Sequence, residues 1–558
     1  MIEIAKQRAE IWLNNSDFDF ETCNQVRSLL QDEQALLAAF GNELAFGTGG
    51  LRGILGVGTG RMNEYVIARA TQGLADYLET ISGKCVAIAY DSRLCSDTFA
   101  KAAACVLAEN GLIAYIYPEL MPTPMLSFAV RYLHCDAGIV VTASHNPAQY
   151  NGYKVYGADG CQITEEAAAN ITACIEKIAY GTARQMDEKV ARQKGLIKDI
   201  DQTVFDAFIA KTLSCRVAPQ VDAQLLVVYT PLHGTGLKPV HAVLDRMKGI
   251  TCIDVIKQCV PDGHFPTCPK PNPELSEALE LGLELAAEVS ADLLIATDPD
   301  SDRVGVAIRE GNGRYKVLTG NEVGLLLMRF ILETRRENGT LPENPVVVKT
   351  IVTSDLAFTI AKDYGVTIVE CLTGFKYIGE IIGRLEQAGE EGRYVFGFEE
   401  SCGYLAGTHV RDKDAVMTCM LVAEMAQYYL GSGKSLAQVL NELYARYGYM
   451  GTRLLSYDIA GVMPMEKMTQ VMREMRENSV QMLDGSEVTW KKDYFLGIDG
   501  LPKSNALSFA TADGKKVIVR PSGTEPKIKV YLSARAASQQ EATRMLDDME
   551  KDMNSRIQ

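Results

Sequence analysis

The sequence predicts an α/β protein: three tandem α/β domains with mixed, mainly parallel sheets, followed by a C-terminal α+β domain. Three observations carry that reading. Continuous apolar runs such as Val86-Ala-Ile-Ala-Tyr90 and Ala137-Gly-Ile-Val-Val141 alternate with helical stretches, as in a parallel sheet covered on both faces. The same pattern restarts at Gln224-Leu-Leu-Val-Val-Tyr229 and again at Pro345-Val-Val-Val-Lys349. The chain's 558 residues, at roughly 150 per domain, give about three or four domains.

In order along the chain, the first forty residues read as helix, with Val26, Leu29, Leu30, Leu36, Leu37 and Phe40 near helical spacing. A Gly-rich loop, Phe46-Gly-Thr-Gly-Gly-Leu-Arg52-Gly53, follows. The strand at 86–90 ends in Asp91-Ser-Arg93, a helix covers Thr98 to Glu109, and Leu112 to Tyr117 is a further short strand. A faint repeat joins two of the units. The strands at 86–90 and 346–348 each lead to a Ser-Asp pair, Ser96-Asp97 and Ser354-Asp355, where a helix is expected to begin under a Ser or Asp cap. The Pro- and Gly-dense tract from Pro261 to Pro273 reads as an irregular connection. Near the end, Val517-Ile-Val-Arg520, a turn, the alternating Ile528-Lys-Val-Tyr-Leu532 and a helix carrying Met545, Leu546, Met549 and Met553 suggest the α+β unit. The expected domains are residues 1–205, with the N-terminal helical extension, 206–315, 316–450 and 451–558.

Composition narrows the function. Apolar residues make up 47% and charged residues 23%, enough for an ordinary core in each unit. The formal charge of -15 argues against nucleic acid or anionic membrane as partner, since both need clustered basic residues. No run of about 18 apolar residues suggests a membrane span, and the charged, amphipathic start is wrong for a signal peptide. The 14 cysteines include no C-x-x-C pair, and several, such as Cys105 and Cys419, lie in apolar runs. Buried thiols in a reducing compartment fit this usage, so a soluble, cytoplasmic protein is expected.

Two loops carry the chemistry most clearly. Asp298-Pro-Asp300-Ser-Asp302-Arg303 leaves the apolar strand Leu293-Leu-Ile-Ala296. Three converging carboxylates repel unless a hard divalent cation takes them, and a solvated acidic turn is the alternative. Arg303, standing where an EF-hand needs Gly, rules that motif out, and the set suits Mg²⁺. Losing one carboxylate, for example in Asp300→Asn, is expected to weaken the metal and to relieve repulsion without it. The second loop is Thr142-Ala-Ser144-His145-Asn146-Pro147. Ser144 is a candidate nucleophile, or part of an ordinary turn. His145, adjacent in sequence, is expected to face the same pocket without easily bonding the same Ser. The run Asn151-Gly-Tyr-Lys154 offers a cation.

Phosphate recognition is suggested by two basic loops, the one containing Arg52 and Arg520-Pro-Ser522-Gly523-Thr524-Glu-Pro-Lys527. Backbone N–H groups, hydroxyls and a guanidinium fork suit a phosphate dianion, and the second loop is also good hairpin chemistry. Thr373-Gly374-Phe-Lys376, Gly397-Phe-Glu399-Glu-Ser401 and Arg411-Asp-Lys413-Asp414 offer donors and acceptors for sugar hydroxyls; Lys413 pairs with a phosphate or with Asp414. Gly431-Ser-Gly-Lys434-Ser435 is a helix-ending turn, because Tyr428 stands where a P-loop needs its first Gly. The six histidines show no metal-ligand spacing, and no zinc site is indicated. Together these parts describe phosphoryl transfer on a hydroxyl-rich small molecule.

The loops at 142–147, 298–303, 397–401 and 520–526 resemble, in order, the four signature loops of the α-D-phosphohexomutase (phosphoglucomutase/phosphomannomutase) family. The longer phosphoglucomutase and phosphopentomutase branch is the most similar. The resemblance implies four domains around a central cleft, each giving one loop. It implies a phosphoserine at Ser144, and Mg²⁺ held by Asp298, Asp300, Asp302 and a Ser144 phosphate oxygen. Arg52, His145 and Lys154 would line the reacting group. Arg303, Thr373, Gly374, Glu399, Ser401 and Lys413 would bind the sugar side, and Arg520, Ser522, Gly523, Thr524 and Lys527 the distal phosphate. Phe398, where many relatives carry Gly, is expected to reshape the sugar pocket. The implied reaction interconverts a sugar 1-phosphate and its 6-phosphate, with glucose first and with glucose 1,6-bisphosphate as activator and intermediate. The substrate partner is a phosphosugar, and a monomer or homodimer is expected. Phosphomannomutase, phosphopentomutase and sugar bisphosphate synthase are the alternatives within the family; a phosphohydrolase or a silent sensor lies outside it.

Overall fold

The computed structural model describes residues 1–47, 49–459, 464–477, 480–522 and 527–557. The first forty residues form three helices, Ile2–Asn14, Phe20–Leu29 and Glu33–Phe40. Asp19 and Asp32 cap the second and third by accepting from Thr22 N and from Gln34 N and Ala35 N. Their shared apolar faces close on Trp12, which stacks on Phe18 at 4.3 Å and meets Phe40 edge-on at 5.3 Å.

The first sheet has six strands in the order Gly50–Ile54, Tyr150–Gly157, Ala137–Val141, Cys85–Tyr90, Ile113–Ile116, Ile197–Asp199. The last four run parallel and the first two antiparallel. Arg52 therefore sits on a strand and not in the loop expected for it, opposite Gly152. Leu51 is buried and Arg52 exposed, the alternation of an edge strand, which the many glycines disguised. The second sheet runs Tyr315–Val317, Val304–Arg309, Leu293–Thr297, Leu225–Thr230, Ile250–Asp254, and its last three strands are parallel. The third sheet runs Thr367–Cys371, Val346–Thr350, Tyr394–Glu399, Gly403–Leu405, with only the last strand antiparallel. The fourth is six-stranded and wholly antiparallel, covered by the closing helix Gln539–Ile557 through Leu546, Met549 and Met553. The α/β class with a C-terminal α+β unit is thus the observed architecture.

Helices do begin at Ser96 and Leu356, near both Ser-Asp pairs, but neither pair caps through its side chain as expected. Stronger partners claim these groups: Ser96 Oγ donates to Asp91, and Asp355 binds Lys349 and Lys516 at 3.0 and 2.7 Å. Lys516 lies in the fourth sheet, so the Asp355 pairs also fasten that sheet to the third. One continuous apolar core joins the first three sheets, threaded by the helices Gly320–Glu337 and Ala415–Gly431.

Phe398 belongs to this core and not to the sugar pocket expected for it. It is fully buried, stacks on Phe396 at 5.4 Å and lies flat against Gly324. The reason is strand alternation, which points Phe398 inward while Glu399 reaches the strand end. A Cβ on Gly324 would stand 2.2 Å from the Phe398 ring. Gly324→Ala is therefore expected to destabilise the fold by about 1–3 kcal/mol, read as a lower denaturant midpoint.

Candidate active site

Each of the first three sheets delivers one loop from the C-terminal end of a strand, the usual place for ligand sites in α/β folds. Ala137–Val141 leads to Ser144, Leu293–Thr297 to Asp298, and Tyr394–Glu399 to Ser401. Ser144 is buried with φ +51°, a left-handed conformation that costs a non-glycine residue about 1–3 kcal/mol. Three neighbours hold it there. Ser144 N donates to Thr142 Oγ1 at 2.8 Å, and Thr142 Oγ1 donates to Asp91 at 2.6 Å. Arg93, paired with Asp91 at 3.4 Å, donates to the carbonyls of Ser144, Asn146, Pro147 and Tyr150. Arg93 organises the whole turn, a role its place in Asp91-Ser-Arg93 did not announce.

The turn aims the serine at the acidic loop. Ser144 Oγ donates to Asp298 Oδ2 at 2.6 Å and stands 3.2 Å from His145 Nδ1. The expectation that His145 would not reach Ser144 is thus overturned, because the left-handed residue brings consecutive side chains to one side. Burial, with the Arg303 guanidinium nearby, holds the His145 ring well below its usual pKa, so it stands neutral.

The three aspartates converge. One oxygen from each of Asp298, Asp300 and Asp302 lies within 4.8 Å of the others, and all three residues are buried. Asp298 Oδ1 accepts from the backbone N–H of Asp302 and Arg303 at 3.0 Å each, which closes the loop. Burial, then the charges of Asp300 and Asp302, push Asp298 well above the usual carboxylate range; burial and Asp300 raise Asp302. Burial opposes the Asp300 charge as well, but Lys154 at 3.0 Å, the hydrogen bond with Asp298 and the Lys413 charge together hold Asp300 below that range. Asp300 Oδ1 and Asp302 Oδ1 are buried and find no hydrogen-bond partner among the described residues. Orphaned anionic oxygens in an all-oxygen set fit a hard divalent cation.

Around this group stand further cations. Lys154 lies on the strand antiparallel to the one leading to Ser144, a hairpin that the sequence did not show. Lys413 reaches Asp302 and Asp412 at 3.1 Å each. The Asp414 partner expected for it instead caps the helix Ala415–Gly431 and takes His409 Nε2. Thr123 was not foreseen; its hydroxyl donates to Asp300 Oδ2 at 3.0 Å. Arg303 pairs with Glu274 at 2.8 Å. Arg52 stands close enough to bear on the charge of His145 and Arg93.

On the third sheet, Glu399 is buried and accepts from Gly374 N at 2.8 Å, with Gly374 at φ +116°. Burial pushes the adjacent Glu400 carboxyl up to about 7. Ser401 and Thr373 are half-buried beside them. On the fourth sheet, Arg520 lies opposite Lys529, and Ser522 N donates to Lys527 O at 2.7 Å, closing the hairpin. Lys527 Nζ stands 3.6 Å from Asp458. Gly523 and Thr524 lie outside the described residues. Tyr531 bears the influence of Glu400, Arg520 and Glu399 together, so this strand end faces the Glu399 loop.

Fold and site define a class: a four-sheet protein whose loops bring a buried serine onto three carboxylates that fit a hard divalent cation. Residues 43–182, 206–311 and 319–447 match the alpha/beta/alpha domains I, II and III of the phosphoglucomutase/phosphomannomutase family, and residues 468–552 match its C-terminal domain. The chain belongs to that family and is an intramolecular phosphotransferase of its isomerase type. It is 35% identical over 502 residues to a phosphoglucomutase of Staphylococcus epidermidis, covering 88% of this chain and 90% of that one. A phosphoglucomutase of Staphylococcus aureus is 35% identical over 532 residues, 93% of each chain. A phosphoglucomutase/phosphomannomutase family protein from Burkholderia thailandensis shares the fold at TM-score 0.68 and 18% identity, over 92% of this chain and 97% of that one. The open form of Paramecium parafusin, a phosphoglucomutase, does so at 0.67 and 17%, over 92% and 95%. No helix among the described residues is long and apolar enough to cross a membrane.

Proposed function

We propose that this chain interconverts glucose 1-phosphate and glucose 6-phosphate through a phosphoserine at Ser144 and a glucose 1,6-bisphosphate intermediate. The observation that carries the reading is Ser144 itself. It is held in a left-handed turn with its hydroxyl 2.6 Å from Asp298 and 3.2 Å from a neutral histidine. Glucose is favoured because the relatives are named phosphoglucomutases.

In the first half-reaction the sugar's free hydroxyl oxygen attacks phosphorus, the bond to Ser144 Oγ breaks, and the hydroxyl proton passes to a base and from it to the departing Oγ. The neutral His145 is the base the geometry offers. Asp298, Asp300 and Asp302, with a phosphoserine oxygen, would hold Mg²⁺, which neutralises charge on the transferred group. Arg52 and Lys154 line that group. Arg303, Thr373, Gly374, Glu399, Ser401 and Lys413 orient the sugar hydroxyls. Arg520, Ser522, Gly523, Thr524 and Lys527 grip the phosphate that does not react. The bisphosphate then turns end for end, and its other phosphoryl group returns to Ser144. Closure of the cleft keeps water from the phosphoserine. The free thiols suit a cytoplasmic, reducing setting.

Substrate comparison tests the reading. We expect kcat/KM to be highest for glucose 1-phosphate among the glucose, mannose, glucosamine and ribose 1-phosphates, with no inorganic phosphate released. A higher value for another sugar overturns the choice of glucose, and stoichiometric phosphate release overturns the mutase. Arg520→Ala is expected to act mainly through KM in both reaction directions, because the distal phosphate comes from opposite ends of the sugar in the two half-reactions. Losing a bidentate, charge-assisted contact there should cost about 2–4 kcal/mol, roughly 30- to 1000-fold in kcat/KM. A loss confined to one direction means that Arg520 reads one end of the sugar.

A further inference from the structure

Away from the cleft, the second sheet assembles another set of metal-ligating side chains. His241 lies on the helix Leu237–Leu244, and Cys252 and Asp254 lie on the edge strand Ile250–Asp254 that follows it. Two residues apart, Cys252 and Asp254 share one face of the strand, and the helix packs His241 onto that face. One ligand atom from each lies within 4.8 Å of the others. His241 Nε2 stands 2.9 and 3.0 Å from the two Asp254 oxygens, and Cys252 Sγ stands 4.0 Å from Asp254 Oδ1. Ligands held tetrahedrally at about 2.0–2.3 Å from an ion stand roughly 3.3–3.8 Å apart. Ligation thus asks for small side-chain shifts only.

A second observation concerns the other ring nitrogen. His241 Nδ1 faces Asp245 Oδ1 at 3.4 Å, one turn further along. A carboxylate on the distal nitrogen is the partner that orients metal-bound histidines and raises their basicity. The three ligands are half-buried and Asp245 is exposed, so an ion can reach them from solvent.

We propose that His241, Cys252 and Asp254 bind a borderline transition-metal ion of the zinc class, with water in the fourth position and Asp245 orienting the ring. Imidazole and thiolate select such an ion over Mg²⁺, which takes oxygen ligands. The site is therefore chemically distinct from the aspartate group at 298–302. The sequence hid it because its ligands are gathered by a helix and a strand, without the short spacings of a zinc motif.

Cobalt(II) tests the proposal, since thiolate ligation gives it a near-ultraviolet charge-transfer band that oxygen ligands do not. The full chain, stripped with chelator and kept in excess Mg²⁺, is titrated with Co²⁺. We expect one equivalent to produce the band in the wild type and in Asp298→Asn, and none to produce it in Cys252→Ser. The exposed Asp245→Asn should keep the band but bind Co²⁺ roughly 10- to 100-fold more weakly. A single cooperative thermal transition without Co²⁺ shows that each variant is folded. If the wild type gives no band, the band survives Cys252→Ser, or Asp245→Asn binds as the wild type does, the proposal falls and His241 with Asp254 is an ion pair only.

Discussion

Replacing Ser144 with alanine is expected to lower turnover by on the order of 10⁴- to 10⁶-fold while substrate affinity stays nearly unchanged. The reason lies in what Ser144 touches. Its hydroxyl meets Asp298 and His145, its N–H meets Thr142, and its carbonyl meets Arg93. All of these are protein groups that hold the relay atom, and the residues proposed to grip the sugar lie on other loops. Removing one oxygen thus deletes the covalent step and leaves the binding surfaces in place. Intact-mass measurement of active wild-type enzyme should show an adduct of about 80 Da, the mass of one phosphoryl group, that the variant lacks. Turnover at the wild-type rate in the variant contradicts the assignment.

Asp298→Asn is expected to lower kcat by roughly 10²- to 10⁴-fold, about 3–5 kcal/mol, through lost metal and a misplaced serine. In EDTA the same variant should be more stable than the wild type. Burial and the neighbouring aspartates raise the folded-state pKa of Asp298 above its ordinary 3.8, so the folded protein binds that proton more tightly than the unfolded chain does. The contribution to stability is full below the ordinary value and is lost as pH rises toward the raised one. At neutral pH, where the unfolded carboxyl is ionised, folding must take up that proton or bury the charge, and either opposes it. The Tm advantage of the variant in EDTA should therefore widen as pH goes from about 4 to 8, and Mg²⁺ should erase it by stabilising the wild type alone. The amide also fits, since its oxygen still accepts from the N–H groups of Asp302 and Arg303. Asp300→Asn, for which relief was expected from the sequence, should behave in the opposite way. Asp300 is the member held below the usual carboxylate range, paired with Lys154 at 3.0 Å and accepting from Thr123, and its loss strands a half-buried lysine. Differential scanning calorimetry across pH checks both variants, and an Asp298→Asn protein less stable than wild type in EDTA at every pH contradicts the account.

Much of this was legible in the sequence, for physical reasons. Apolar strands reveal themselves by composition, so the strands before Ser144 and Asp298 were visible, and the loops that follow them carried unusual polar chemistry; the strand ending at Glu399 was not. Contacts between loops were not legible. Thr123 meets Asp300 across 177 residues of sequence, and Lys413 meets Asp302 across more than a hundred. Arg93 looked like a strand-end charge because backbone carbonyls, its partners, leave no trace in side-chain identity. Arg52 was misplaced because glycine-rich sequence reads as loop even where an edge strand pairs. Phe398 was assigned to the pocket by the family resemblance, whereas strand alternation sends it into the core.

The central claim is that a phosphoryl group on Ser144 moves to the sugar and back. The most direct measurement isolates enzyme carrying a radiolabelled phosphate on Ser144 and mixes it in a single turnover with unlabelled glucose 1-phosphate and Mg²⁺. The account predicts that the label leaves the protein for glucose 1,6-bisphosphate and then glucose 6-phosphate. Label recovered as inorganic phosphate, or retained on the protein while product forms, would contradict it.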